Sequence, residues 1–188
     1  MSVALTRRRF TVDDYYKMAT AGIFTEDDRV ELIDGEIVEM LPIGDRHAGG
    51  VDRIASHFWG RYSNVAQVRV QNPVRLNDYC EPEPDLALLR PRADFYASGH
   101  PTPADVLLLV EVADTSVDAD RQVKVPLYAR NGIPETWLLD LPHATLTVYR
   151  GPAPDGHRSV QMLRAGEEVA PLAFPDRLLP VAAILGLP

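Results

Sequence analysis

The sequence predicts one domain of the α/β or α+β class, with helices flanking a central mixed β-sheet. The chain has 188 residues, of which 46% are hydrophobic and 24% charged, as in ordinary globular domains. Two short runs, Pro84–Leu89 and Val106–Val112, are almost entirely apolar, as central strands covered on both faces are. Helical and strand patterns then alternate without a long linker, so we expect a single domain over residues 1–188.

Two helices are predicted in the first third of the chain. Thr11 is an N-cap with Asp14 as its capping-box acid, and Gly22 ends that helix. Apolar residues at helical spacing predict a longer helix over Arg46–Tyr62.

A β-hairpin is predicted between these helices. Asp34-Gly35 separates two alternating segments within Arg29–Met40, which is the signal of a type I′ turn. In the first arm Glu31 shares a face with Ile33, so this acid is expected on an apolar side.

The rest of the chain is predicted to hold further strands and two helices. The strands are Val68–Leu76, Thr136–Asp140, Thr145–Tyr149 and Val160–Leu163, and Gly151–His157 is a turn region. The helices are Asp118–Arg130 and a short one within Pro180–Leu187. Pro126 either bends the first of these helices or delays the start of its regular part.

Charge and cysteine content exclude several classes of protein. With 19 basic and 27 acidic residues the net charge is −8, which excludes coating of nucleic acid by bulk electrostatics. The net charge does not exclude a local basic groove, and its candidate residues are Arg61, Arg69, Arg75 and Arg121. The single cysteine, Cys80, excludes an intramolecular disulfide and a Cys-rich zinc site and favours a reducing compartment.

The sequence contains no signal-peptide pattern. Its longest clearly apolar run, Val106–Val110, is far too short to cross a bilayer. We therefore expect a cytoplasmic protein without a membrane partner.

Two acids stand where apolar strands begin or end. Glu111 closes one run, and Asp85 opens the other directly after a proline. A solvated strand end is the plain alternative for either acid alone. Buried there, a carboxylate must be paired, hydrogen-bonded or bound to a cation. Two such acids, with Glu31 as a third, suit Mg²⁺, which binds through a few carboxylates and waters.

Lys124 is the candidate cation beside these acids. It lies on the helix that follows the Glu111 strand and shares a helical face with Tyr128. A lysine at a metal site can orient a water and stabilise negative charge on phosphate. An exposed helical lysine is the alternative, and spacing alone does not decide between them.

Several motifs together resemble a known family. They are Glu31-Leu-Ile-Asp-Gly-Glu36, Glu83-Pro-Asp-Leu86, Leu109-Val-Glu-Val112, Asp120 with Lys124, Tyr128-Ala-Arg-Asn-Gly-Ile-Pro-Glu135 and Trp137-Leu-Leu-Asp140. Pro84-Asp85 with Glu111 resembles the PD-(D/E)xK signature of restriction-endonuclease-like nucleases. The ordered set, from about Phe10 to Tyr149, is closer still to the Uma-two family.

The resemblance implies a restriction-endonuclease-like fold and assigns roles to site residues. Asp85, Glu111, Glu31 and the carbonyl of Val112 become ligands of Mg²⁺ or Mn²⁺. Ala113 occupies the position of the motif lysine, so Lys124 becomes the catalytic lysine.

Four further residues are candidates around this centre. His47 stands where the family often has a histidine, although it also suits a helix start. Gln71 is a candidate for the cleft, Tyr128 shares the face of Lys124, and Asp120 is placed to pair with Lys124.

Three functions remain open from the sequence. The first is a magnesium-dependent endonuclease that hydrolyses DNA, with Lys124 and the metal holding the attacking water. The second is a catalytically inactive binding or assembly module, which Ala113 and the net charge favour. The third is a hydrolase of small phosphoesters. Because duplex cleavage needs two cuts, we also expect a homodimer, with Val181–Leu187 contributing to its contact.

Overall fold

A six-stranded mixed sheet organises the protein, which is a computed structural model describing residues 7–25, 27–117 and 120–187. The helices are α1 (Val12–Thr20), α2 (Asp45–Tyr62), α3 (Val125–Arg130) and α4 (Val181–Leu185). A π-helical turn, Asp120–Lys124, leads into α3, and a 3₁₀ turn covers Pro103–Asp105. The strands are β1 (Val30–Ile33), β2 (Glu36–Glu39), β3 (Gln67–Val70), β4 (Leu86–Leu89), β5 (Val106–Ala113), β6 (Glu135–Asp140), β7 (Thr145–Ala153), β8 (Gly156–Leu163), β9 (Glu168–Val169) and β10 (Leu179–Pro180).

The strand order in the sheet is β3-β4-β5-β6-β7-β8. Neighbouring strands are antiparallel except β5 and β6, which run parallel. A parallel pair needs a crossover connection, and the π-helical turn with α3 supplies it. The predicted fold class, a mixed sheet flanked by helices, is confirmed.

Helices cover both faces of the sheet. Val110 and Val112 of β5 pack into the core that includes α2, whereas Leu109 and Ala113 pack into clusters that include α3. By strand alternation Glu111 lies on the α3 face. An acid in the middle of this strand is therefore directed under α3 and not to solvent.

Local sequence signals set the first two predicted elements. The capping box of α1 is present: Thr11 Oγ1 accepts from the Asp14 amide at 3.1 Å, and Asp14 accepts from the Thr11 amide at 3.2 Å. In the β1–β2 hairpin Asp34 and Gly35 both have positive φ, 51° and 78°, as a type I′ turn requires. A Cβ at Gly35 would lie 2.6 Å from the Cβ of Arg9, so this position has room only for glycine.

Two predicted segments in the sheet have different bounds. The strand expected to run to Leu76 ends at Val70, because Gln71 has a left-handed φ of 48° and breaks the ladder. The turn expected over Gly151–His157 is present, but it is shorter than predicted. β7 continues to Ala153 and β8 starts at Gly156, so the hairpin turn is only two residues long.

The helix predicted over Asp118–Arg130 is regular only in its second half. Residues 118 and 119 lie outside the described residues. The α-helical part starts at Val125, which places Pro126 in its first turn, directly after the π-helical turn. Of the two alternatives for Pro126, the late start is the one observed.

The C-terminal helix forms as predicted, but it does not offer an apolar face to a partner. Val181, Ile184 and Leu185 are buried in the core of the same chain, against α2 and the sheet. The prediction that Val181–Leu187 supplies a dimer contact is therefore wrong for these three side chains. A homodimer built on another surface stays a prediction.

A close approach of α2 to the sheet fixes the start of that helix. A Cβ at Gly50 would lie 2.9 Å from Val112 and 3.1 Å from Leu141. The glycine therefore allows the first turns of α2 to lie directly on the end of β5. In the part of the chain that the structure describes, no helix is both long and apolar enough to cross a membrane.

Candidate active site

A cavity of about 430 Å³ lies between the β1–β2 hairpin, the start of α2 and the π-helical turn before α3. Most of the predicted site residues line it, namely Glu31, His47, Gln71, Asp85, Glu111, Asp120 and Lys124. The other two, Val112 and Tyr128, contact these lining residues through hydrogen bonds. The fold thus brings all the predicted site residues into one neighbourhood.

Lys124 lies between two of the acids. Its Nζ is 3.4 Å from Glu31 Oε2 and 3.6 Å from Glu111 Oε1, and it donates to the Glu83 carbonyl at 3.4 Å. Only 12% of its side chain is exposed. It is therefore not an exposed helical lysine, which was the alternative left open by the sequence.

The packing of Ala113 explains why the lysine comes from the crossover. Ala113 lies two residues after Glu111 on the same face of β5 and packs in one buried cluster with Val125 of α3. The small side chain lets α3 approach the sheet at this point. Lys124 directly precedes Val125 in the chain, so the ammonium group enters beside Glu111 from the helix.

Asp85 is held by three groups. Its Oδ2 accepts the Val112 amide at 2.8 Å, while its Oδ1 lies 3.0 Å from His47 Nε2 and 3.4 Å from Gln71 Nε2. The hydrogen bond from Asp85 raises the pKa of His47 above its ordinary value, against the opposing effect of burial. His47 thus helps to fix the orientation of the Asp85 carboxylate.

Glu111 is buried and lies among other acids. Burial raises its pKa well above the ordinary value, Lys124 opposes this shift, and Asp85 and Asp120 add to it. Tyr128 donates its hydroxyl to Glu111 Oε1. The pKa of Tyr128 is also raised, first by its own burial and then by the neighbouring carboxylate. Tyr128 therefore acts as a neutral donor that fixes the orientation of Glu111.

The cavity holds more buried acid than base. Burial alone would lower the pKa of Lys124, but the attraction of Glu111, Glu31, Asp120 and Asp85 outweighs it and raises that pKa. The pKa of Asp120 is raised by burial, and Ser116 donates to this carboxylate at 2.6 Å. The basic residues that line the cavity, Arg29, His47 and Lys124, are outnumbered by its carboxylates, so the cavity favours uptake of protons or of a cation.

The donor chemistry fits a hard divalent cation. Carboxylate oxygens and the Val112 carbonyl are the ligand types that Mg²⁺ and Mn²⁺ take. Within the described residues, no three His, Cys, Asp or Glu side chains are arranged as a ready coordination shell. Lys124 Nζ stands between Glu31 and Glu111 at this point, so their carboxylates are paired with the lysine in this structure.

Among the lining residues that sequence reasoning did not assign to the site are Glu83 and Arg29. Burial, and next the charge of Glu31, raise the pKa of Glu83. Its signal in the sequence was its position between Pro82 and Pro84, directly before Asp85. Arg29 precedes the hairpin and carried no such signal.

The basic groove considered from the sequence does not form part of the cavity wall. In the part of the chain described, none of Arg61, Arg69, Arg75 and Arg121 lines it. Arg75 pairs with Asp78 and Asp13, and Arg121 with Asp140 at 3.4 Å. The cations at the cavity are instead Arg29 and Lys124.

Comparison with known proteins assigns the family. The family model Uma2, described as "Putative restriction endonuclease", matches residues 12–182. A solved structure of "a putative nuclease belonging to DUF820" from Anabaena variabilis ATCC 29413 superposes with a TM-score of 0.71. It is 16% identical and covers 94% of this chain and 98% of its own, so it shows the shared fold. No curated protein matches the sequence. The resemblance seen in the motifs is thereby confirmed, and the chain belongs to the Uma2 family of putative restriction endonucleases.

Proposed function

We propose that this protein is a divalent-metal-dependent nuclease that hydrolyses phosphodiester bonds in DNA. The family and the fold support nuclease chemistry in general. The observation that carries the finer proposal is the position of Lys124 Nζ, 3.4 Å from Glu31 and 3.6 Å from Glu111, in the cavity that Asp85 also lines.

Asp85, Glu111, Glu31 and the carbonyl of Val112 would hold the cation, Mg²⁺ or Mn²⁺. When bound, such an ion lowers the pKa of water and stabilises negative charge on a phosphate oxygen. The excess of buried carboxylates around Lys124 supports this assignment, because a dication would offset charge that the lysine leaves uncompensated.

The residues of the chain have separate roles in this proposal. Lys124 donates to the phosphate or to the attacking water, and its nearly buried ammonium group is more effective than one in bulk solvent. Glu31 and Glu111 keep that ammonium group in position. Tyr128 orients Glu111, and the Val112 amide orients Asp85.

Cleavage of labelled DNA tests the proposal. The wild-type protein should cut DNA in MgCl₂ or MnCl₂ and stop in EDTA. Asp85→Asn should abolish cleavage, because it removes a carboxylate charge while keeping the size of the side chain. Asp176→Asn, at an exposed acid far along the chain, is the matched control and should cut like wild type.

Three results would contradict the proposal. Cleavage that survives EDTA, or equal cleavage by Asp85→Asn, would show that the activity does not come from this cavity. DNA binding without cleavage in either metal would instead favour the inactive binding module. In that case the contacts of Glu111 Oε1 with Tyr128 and Lys124 would only stabilise the fold.

A further inference from the structure

An exposed apolar segment borders the acidic cavity. This segment, the apolar lip, consists of Met40, Leu41, Pro42 and Ile43 between β2 and α2, and all four residues line the cavity. Leu41 is 65% exposed and Ile43 is 44% exposed. Val123, on the π-helical turn at the same cavity, is also exposed. Large apolar side chains that cluster in solvent commonly mark a binding surface.

Hydrogen bonds hold the lip in place at both of its ends. Arg29 Nη1 donates to the Leu41 carbonyl at 3.1 Å, and the Met40 amide donates to the Arg29 carbonyl at 2.8 Å. At the other end Gly44 is the N-cap of α2, and its carbonyl accepts the Ala48 amide at 3.0 Å. The exposed side chains are therefore presented by a braced backbone.

The lip is also connected to the acids. The first turn of α2 follows it directly and carries His47, whose Nε2 lies 3.0 Å from Asp85 Oδ1. Because Leu41 and Ile43 line the same cavity as the acids, a strand whose phosphate reaches the acids has these side chains available for an adjoining nucleotide.

The chemistry of the lip selects the part of DNA that it can contact. Aliphatic side chains offer nothing to a phosphate, but Leu, Ile, Met and Pro are among the residues that proteins wedge between bases, and in a duplex this contact costs the unstacking of a base step. In an intact duplex the base faces are covered by their neighbours. An unpaired base has a free face, and its apolar contact requires no local melting.

We propose that the apolar lip seats an unpaired base of the strand being cut, so that the substrate class is single-stranded DNA, free or as a flap, gap or bulge in a duplex. This inference rests on the proposed nuclease function. A second protein copy on the lip would fit its apolar character, but it would close the cavity that the acids line. The shared cavity therefore favours the substrate as the occupant.

Paired variants with matched substrates test the inference. Leu41→Ser/Ile43→Ser removes the exposed apolar groups of the lip, and Val160→Ser/Met162→Ser removes exposed apolar groups of β8, outside the cavity lining. Initial cleavage rates are measured in MnCl₂ on one labelled strand, alone and in a full duplex. Wild type and the β8 variant should prefer the single strand by at least about tenfold, and the lip variant should lose most of that preference.

A binding measurement tests the contact between the lip and the base in the absence of cleavage. In EDTA, a 2-aminopurine base in the single strand should change its fluorescence on binding to wild type and to the β8 variant. The change should be much smaller with the lip variant, because the base is no longer held away from its neighbours.

The outcomes that would contradict this inference differ from the outcome that would contradict the nuclease proposal. Equal rates on single strand and duplex, unchanged in the lip variant, would overturn the inference and leave the nuclease proposal standing. A lip variant that turns from dimer to monomer in light scattering, with its strand preference intact, would overturn it in favour of self-association. If wild type cuts neither substrate in Mg²⁺ or Mn²⁺, the nuclease proposal fails and this inference fails with it.

Discussion

Two glutamates on neighbouring strands of the sheet are buried, and their surroundings differ. Glu135, at the start of β6, accepts from Arg150 Nε at 2.8 Å, Trp137 Nε1 at 2.9 Å and the Leu172 amide at 2.5 Å. Glu111, on β5, accepts from the hydroxyl of Tyr128 and faces Lys124, which it shares with other acids. Both glutamates are shielded from water, but only Glu135 has a matched set of donors.

The difference separates a structural acid from a functional one. Arg150 also donates to the Ala170 carbonyl at 2.7 Å, so Glu135 and Arg150 together fasten the chain that leads to β10 and α4. A buried carboxylate whose two oxygens both accept hydrogen bonds in this way leaves no oxygen for a ligand. The acids around Lys124 lack such a balance, which is the condition that a cation or substrate can relieve.

The largest effect, a loss of stability, is expected for substitution of Glu135, whose set of hydrogen-bond donors is complete. Glu135→Ala should lower the free energy of unfolding by about 3–5 kcal/mol, because it removes the acceptor of three donors, the buried Trp137 indole N–H, the Leu172 amide and the Arg150 guanidinium. Urea denaturation followed by circular dichroism measures this loss. A cost below about 1 kcal/mol would mean that the Glu135–Arg150 pair does not fasten the C-terminal segment.

The next effect is on catalysis. Lys124→Ala should lower transition-state stabilisation by about 2–4 kcal/mol, since it removes one electrostatic donor. The chain has only one other lysine, Lys17, which is exposed on α1. Lys17→Ala is therefore the matched control and should retain the wild-type kcat/KM. Equal loss in both variants would show that lysine removal acts through something other than this cavity.

Cation binding should stabilise the protein through the acids around Lys124 and not through Glu135. At about a hundred times its Kd, Mg²⁺ or Mn²⁺ should raise the free energy of unfolding by about 2.7 kcal/mol. Thermal melting should show the shift in wild type and in Lys124→Ala, and it should be absent in Asp85→Asn. A shift of the same size in Asp85→Asn would place the bound cation elsewhere.

The smallest effect is expected for the unbalanced glutamate in metal-free protein. Glu111→Gln keeps the shape of the side chain and its contact with Tyr128, and it removes a charge that burial penalises. The free energy of unfolding in EDTA should therefore stay within about 1 kcal/mol of wild type or rise. A loss as large as that of Glu135→Ala would make Glu111 a structural acid and remove the contrast between the two.

Elements determined by local chemistry could be predicted from the sequence. The capping box at Thr11, the Asp34-Gly35 turn and the buried strands β4 and β5 each depend on residues close together in the chain. The elements that were missed depend on distant partners. Strands β9 and β10 are two residues each and exist because Val169 pairs with Leu179.

The same division applies to the candidate site. The acids could be singled out because each stands at an apolar strand, where a charge is out of place. The partner of Asp85 could not be derived in this way, since His47 is brought to it by the approach of α2 over Gly50. The apolar lip gave no signal at all, because a short apolar run in a sequence does not show whether it is buried.

The π-helical turn over Asp120–Lys124 fixes the angle between the side chains of Asp120 and Lys124 around the helix axis. A wide turn holds one residue more than an α-helical turn, and each α-helical residue rotates the chain by about 100°. Removing one residue from between Asp120 and Lys124 while keeping Val125 on Ala113 would leave Lys124, which directly precedes Val125, in place and would rotate the side chain of Asp120 around the helix axis and out of the cavity. The meeting of this acid with the lysine thus depends on a count of residues in the backbone, and a deletion in this turn should separate the two in an otherwise intact fold.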